Sequence, residues 1–269
     1  VKGKLGYMFK RGREKDSLEN QIAAFLSLPI LYNSYVKICD IERDFDVVVV
    51  ATGTTDFAKE RGIFSNSLNI FARTATIIGN FEASSVRMWL NNEYAKNGFA
   101  YVMPFSTSEA RVTLMINNIS NRELEFYWKE FLRTEGIEYK MTETRDLEHN
   151  LGFVDPVKMD NIYFIGDAAG LTDDFIGFGA ISAVESGFMA ARDIANNLDY
   201  LKSIKPYIDH RTKLHELRKT LNAMDNRELD RLLMFLGLPV IKQFVYNNPM
   251  FKVKRAAVIA RAFNSLNRG

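Results

Sequence analysis

The sequence predicts a mixed α/β and α+β chain: a partial parallel layer, interrupted by an inserted antiparallel β-sheet and followed by a C-terminal helical tail. Three observations carry that prediction. The run DFDVVVVATGT (44–54) places four valines between charge and Gly53, the pattern of a strand buried on both faces. Between residues 68 and 117, short runs rich in β-branched and aromatic residues alternate with polar turns at hairpin distances. Residues 161–198, NIYFIGDAAGLTDDFIGFGAISAVESGFMAARDIANNL, read as a strand, a glycine-bearing loop and a long helix.

Composition narrows the function classes. The chain has 269 residues, 47% apolar and 25% charged, which is globular composition. Lys plus Arg is 35 against 33 Asp plus Glu, a net charge of +2, which makes no case for a nucleic-acid partner. A single cysteine, Cys39, excludes a disulfide framework, and three histidines are too few for a spaced zinc cluster, so no metal site is expected. Apolar runs fall far short of the ~20 residues of a spanning helix. The opening VKGKLGYMFKRGREK is basic with no apolar stretch behind it, so no signal peptide is read and a reduced, cytoplasmic protein is expected.

Taken in order, DSLENQIAAFLSL (16–28) predicts a helix capped by Asp16 or Ser17, with Leu18, Ile22, Phe25 and Leu26 on its apolar face and Pro29 as its stop. ILYNSYVKIC (30–39) alternates like a half-buried strand, which would make Cys39 a small buried hydrophobe. Small residues Ala51, Thr52 and Gly53 at the end of the valine strand leave room for a ligand at a strand carboxyl end, where open α/β sheets bind ligands; a plain core strand is the other reading. ARTATIIGNFE, SSVRMWLNNEY, GFAYVMPF and ARVTLMIN read as strands, NRELEFYWKEFLRTE (121–135) as an amphipathic helix and IEYKMTET as a further strand. Composition shifts near residues 57 and 146 divide the chain into 1–56, an inserted sheet domain over 57–145, a return segment over 146–200 and a helical region over 201–269.

The return segment carries the most chemistry. Its helix is expected to start near Gly179 and to bury Ile181, Val184, Phe188, Ala191, Ile194 and Leu198. Gly177 and Gly179 let the backbone pass close to a ligand, and the helix start offers free N–H groups and partial positive charge. Asp167, at the strand's carboxyl end, can accept hydrogen bonds from ligand hydroxyls. The near match GFGAIS to a dinucleotide fingerprint is weak, because a whole loop separates it from the strand. His149 stands where it could reach the site, with an ordinary loop histidine as the favoured reading, and His210 and His215 read as solvated on a charged helix.

The order DVVVVATG, an antiparallel middle, then YFIGDAAGLTDDFIGFGAISAVESG resembles the flavoprotein hydroxylase-like superfamily, and within it the geranylgeranyl reductase family. GFAYVMPF (98–105) resembles the family's Gly-Tyr-Ala-Trp-Val-Phe-Pro stretch. RGREKDSLENQI resembles the arginine-then-helix passage before the ATG strand, and LRKTLNAMDNRELDRLL the family's tail. The resemblance implies a partial Rossmann-like layer that binds FAD, reduction of isoprenoid double bonds in a lipid or other apolar substrate, and an electron donor that is NAD(P)H or ferredoxin-like. It places Gly166, Asp167 and Ala168 on the ribityl or pyrophosphate side and Gly177, Phe178 and Gly179 at the pyrimidine end of the flavin. Ala51, Thr52 and Gly53 then lie by the adenosine, and Arg11 near the flavin, with Arg13 adjacent to it. Phe99, Tyr101, Met103 and Pro104 line the apolar substrate channel; alternating aromatics on a sheet are also what a core shows. No catalytic residue is assigned, since the flavin carries the chemistry.

The departures set further expectations. Asp173-Asp174 stands where the family has Asn-Pro or Asp-Pro, so the loop is expected to lose a rigid turn. Phe178 replaces a small residue or Glu between the glycines. The family's N-terminal unit with its G-x-G-x-x-G turn is not found in these 269 residues, which reads as a chain lacking that unit and expected to bind FAD weakly or not at all by itself. An aromatic-ring monooxygenase of the same superfamily and a flavin-free, non-catalytic remnant are the competing readings. MFKVKRAAVIARAFNSL near the end predicts a basic amphipathic helix suited to peripheral membrane contact or to docking on its own domain.

Overall fold

The computed structural model describes residues 10–12 and 15–239. Arg13 and the basic segment 250–266 lie outside the described residues. Two sheets divide the work. The smaller is three-stranded, β1 (Val48–Val50), β8 (Ile162–Phe164) and β7 (Lys158–Met159), with β1 and β8 parallel and β7 antiparallel to β8. The larger is antiparallel in the order β3 (Arg87–Trp89), β4 (Phe99–Pro104), β5 (Glu109–Asn117), β2 (Phe64–Ile78) and β6 (Lys140–Val154). The valine strand and the inserted sheet are therefore separate layers, as the two kinds of periodicity predict.

One face of the larger sheet is covered. Even-numbered residues of β4 and β5, among them Ala100, Val102, Val112, Leu114 and Ile116, pack with Phe71, Ala75 and Ile77 of β2 beneath α5 (Leu124–Thr134). Helix α5 presents Leu124, Trp128 and Phe131 to this core, and Ser120 with Glu123 forms a capping box at its entry. Arg73 holds the open end of β2 to β6 and α5 through Asp146 (2.7 Å) and Glu125. The predicted strand 84–94 stops early. Asn91 caps a short helix, α4 (Asn92–Ala95), by accepting from the Glu93 amide, so the polar half of that run is helical.

The first forty residues depart furthest from expectation. Helix α1 spans only Leu18–Ala23, with Ser17 accepting from the Asn20 amide as its cap. Phe25 and Leu26 donate to Ile22 and Ala23 in tight i→i+3 bonds and are exposed, because no core meets their face. Residues 30–39 form no strand. Asn33 sits in the left-handed region at φ 53°, which breaks the alternation, and Cys39 falls in a short helix, α2 (Ile38–Ile41), where it is exposed. In the valine strand Val48 and Val50 are buried, but Val49 is 43% exposed, so only one face is covered.

Helix α6 (Ala180–Asn196) reverses its predicted orientation. Ile181, Val184 and Phe188 are 77%, 58% and 59% exposed, and Ala191, Ile194 and Leu198 are exposed with them. The covered stripe is small and polar: Ser186, Ala190 and Asp193. Polar anchors fix it. The Gly166 amide donates to Ser186 Oγ at 2.9 Å, and Tyr163 Oη and Lys158 Nζ donate to Asp193 at 2.9 and 2.8 Å. A Cβ on Gly166 would stand 3.0 Å from that of Ala183, so the helix lies close against the strand end. Amphipathic spacing identifies two stripes; which one meets the layer is set by these long-range bonds.

Candidate functional site

The site forms where the carboxyl ends of β1 and β8 come near the face of the larger sheet turned away from α5. Beyond β8 the chain makes a 3-10 turn, Gly166–Ala169, closed by Gly170 at φ 64°. A Cβ on Gly170 would approach the Gly152 carbonyl oxygen of β6 to 2.4 Å, so this glycine joins the two sheets back to back. Gly166 and Ala168 are buried, Ala168 within the core of the smaller layer. Asp167 reaches the open side. Its Oδ2 lies 2.9 Å from Nε2 of His149 on β6, and its Oδ1 is buried without a partner among the described residues. The Asp167 carboxylate pushes the His149 imidazole pKa up against the opposing effect of burial. From α3 (Asp56–Glu60), Asp56 adds to that rise and Lys59 opposes it. His149 is thus a strand residue at the site, not a loop histidine.

Beside Asp167, Ala51, Thr52 and Gly53 are exposed, and Gly53 takes φ 70° with open space where a side chain would go. Ile165 donates to Val50 at 3.1 Å, which keeps this end of the layer together.

The following loop has no proline turn, as the Asp173-Asp174 pair implies, but it is hydrogen-bonded around Asp173. Asp173 does the work of a turn: its Oδ1 accepts from the amides of Phe175 and Ile176, both at 2.9 Å, and its Oδ2 from Phe178 at 3.1 Å. The Gly177 amide also turns back, to the Asp173 carbonyl at 3.2 Å. The Gly177 and Phe178 amides are therefore spoken for, and the donors left facing outward begin at Gly179 and the first turn of α6, whose amides have no intrahelical acceptor. Gly177 adopts φ 74°, and Phe178 is exposed. Gly179 lies against Thr172, whose Oγ1 a Cβ would meet at 2.2 Å.

Asp174 points the other way, into the protein. It is 1% exposed, with Arg211 Nη2 at 2.6 Å and His215 Nδ1 at 2.5 Å, both on α7 (Tyr200–Asn222). Arg211 Nε also donates to the Thr172 carbonyl at 2.9 Å, and Arg218 Nη1 to that of Phe175 at 3.0 Å. Burial pushes the Arg218 guanidinium down to about 10 and lowers Arg211, with Asp174 opposing the fall in both cases. His215 is part-buried and hydrogen-bonded to Asp174, not solvated, whereas His210 is exposed. The sequence does contain a signal for this network. Residues 211, 215 and 218 form one helical stripe of basic groups, and two adjacent acids in a glycine loop need cations.

Phe99, Tyr101 and Met103 share the face of the larger sheet turned away from α5, opposite Met115, Thr113 and Arg111 of β5; Phe99 is buried there, and Tyr101 and Met103 are half-buried. Pro104 alternates onto the face of Ala100 and Val102. The sheet face and the glycine loop meet: a Cβ on Gly177 would lie 3.5 Å from Met115 Cε, and Met115 packs with Leu68, Ile70 and Leu151. Arg11 stands apart. It pairs with Glu19 and lines a cleft formed by Thr74, Thr76, Arg111, Glu143 and Arg145, not by the 166–179 loop.

No protein-family model matches the chain. Among solved structures it resembles a geranylgeranyl bacteriochlorophyll reductase-like protein of Thermoplasma acidophilum. The TM-score is 0.64 at 19% identity, covering 80% of this chain and 62% of that one. A flavoprotein/dehydrogenase of Cytophaga hutchinsonii has a TM-score of 0.58 at 14% identity, with 80% and 62% covered. The architecture is the fold of that class of flavoproteins. In sequence the chain is 29% identical over 182 residues to digeranylgeranylglycerophospholipid reductase 2 of Methanosphaera stadtmanae, covering 56% of this chain and 44% of that protein. These similarities support the geranylgeranyl reductase family. The chain spans about half the length of the curated relatives it matches. Among the described residues no helix is long and apolar enough to cross a membrane.

Proposed function

We propose that this chain forms the substrate face and one half of the flavin site of an FAD-dependent reductase acting on isoprenoid double bonds of a lipid. The observation that carries the reading is the nearness of Gly177 to Met115, whose Cε stands 3.5 Å from where a Gly177 Cβ would be, which sets a glycine loop beside an apolar sheet face. A flat apolar ring system laid on the loop would have the half-buried Tyr101 and Met115 within reach of its other side. The residues suit a flavin in three respects. Asp167 Oδ1 is a buried acceptor awaiting a donor, such as a sugar or ribityl hydroxyl. The outward amides of Gly179 and the start of α6 favour negative charge, which a reduced flavin bears. Exposed Ala51–Gly53 leave space beside the strand ends.

When bound, the flavin supplies the hydride. The protein's own residues bind the ring, exclude water with the apolar sheet and hold the double bond against it. The electron donor is NAD(P)H or a ferredoxin-like protein. The test is titration with FAD, followed by anaerobic reduction in the presence of a geranylgeranylated glycerolipid. The expected result is saturable flavin binding, weaker than that of a chain also carrying the family's N-terminal G-x-G-x-x-G unit, and a lipid heavier by one H2 (the flavin's hydride plus a proton from solvent) for each reduced double bond. Asp167→Asn should weaken FAD binding by about tenfold or more, the loss of a charge-assisted hydrogen bond. A wild-type chain that binds no FAD, or a lipid left unchanged by reduced flavoprotein, would overturn the reading.

A further inference from the structure

We propose that Arg211, His215 and Arg218 are positioning residues of the flavin site, acting through Asp173 and Asp174 to set where residues 177–179 lie. The inference rests on the flavin reading above. One stripe of α7 makes four polar contacts to three loop residues on either side of Asp173: the Thr172 carbonyl, both Asp174 carboxylate oxygens and the Phe175 carbonyl. Asp173, held within that clamped stretch, gathers the amides of residues 175, 176 and 178. The path from α7 to the ligand-facing glycines is thus continuous: cation to Asp174 and the carbonyls, the Asp173 side chain to the loop amides, and the loop to Gly177 and Gly179. The ring of Phe153 on β6 supports the clamp, with the Arg211 guanidinium carbon 3.8 Å from its centroid and His215 edge-on at 5.3 Å.

Two buried acids side by side would repel each other and resist burial; the cations make the pair tolerable and give it direction. Where a proline would stiffen the chain by its ring, this loop is held from behind by charge. A consequence is that loop geometry responds to residues that touch no ligand.

The experiment compares the wild-type chain with His215→Ala, His215→Asn and Arg218→Met. FAD affinity is measured by fluorescence titration, amide exchange over 173–179 by mass spectrometry, and folding by thermal unfolding. His215→Ala should lose about tenfold in FAD affinity and exchange the 175–178 amides faster. His215→Asn, whose amide N–H can take the place of Nδ1–H, should recover most of both. Arg218→Met should shift both readouts in the same direction, and it stands in should His215→Ala fail to fold. Wild-type FAD affinity in folded His215→Ala and Arg218→Met would overturn the positioning role while leaving the flavin reading intact. A wild-type chain that binds no FAD would overturn the flavin reading, and this inference with it.

Discussion

His149 and Asp167 tie the two sheets together at the site: Nε2 of the β6 histidine lies 2.9 Å from Oδ2 of the acid that follows β8. The other oxygen of the same acid is buried and unpartnered among the described residues.

That pair makes stability depend on pH. Asp167 holds the His149 imidazole above its ordinary value of about 6.5, so protonated His149 favours the folded state. The contribution is fully present below about pH 6.5 while Asp167 stays ionised, and it is lost as pH rises through the raised folded value. Urea unfolding of wild type and His149→Gln should differ most just below the ordinary histidine value of about 6.5 and converge once the pH has passed the raised folded value. A difference that grows with pH would contradict the pairing.

Arg211 and Asp174 are both buried, at 4% and 1% side-chain exposure. Removing one partner of such a pair strands the other. Arg211→Ala should cost about 3–5 kcal/mol, read as a large fall in the urea midpoint. A cost below about 1 kcal/mol would mean that Asp174 finds other partners at no penalty.

Gly170 lies at φ 64°, with the Gly152 carbonyl where its Cβ would stand. Both the left-handed backbone and the clash are backbone matters that no rotamer can relieve. Gly170→Ala should destabilise by about 2–4 kcal/mol, whereas Gly237→Ala, with open space around it, should not, as thermal unfolding would report.

The exposed stripe of α6 makes the opposite kind of prediction. Phe188→Gln should change the unfolding free energy of this chain by less than about 0.5 kcal/mol, because the ring gains little burial here. A loss of about 3 kcal/mol, as expected for a core phenylalanine, would show that the stripe is covered in solution.

The sequence by itself determined the local chemistry of this protein: the antiparallel runs of the inserted sheet, the amphipathic α5, a helix cap at Asp16 or Ser17, and the GDAAG turn. Those features depend on residue spacing and backbone preference within a few positions, so they are legible without a partner. Tertiary structure decided which surfaces meet. The alternation of residues 30–39 promises a strand, yet with Asn33 left-handed and no adjoining ladder the segment stays irregular. The apolar stripe of α6 promises a core, yet Ser186 and Asp193 find hydrogen-bond partners on the layer and turn that stripe outward. His149 and His215 become site and clamp residues only because Asp167 and Asp174, 18 and 41 positions away in the chain, arrive within hydrogen-bond distance. Periodicity states that a face is apolar or charged; only the folded neighbourhood supplies the group that the face meets.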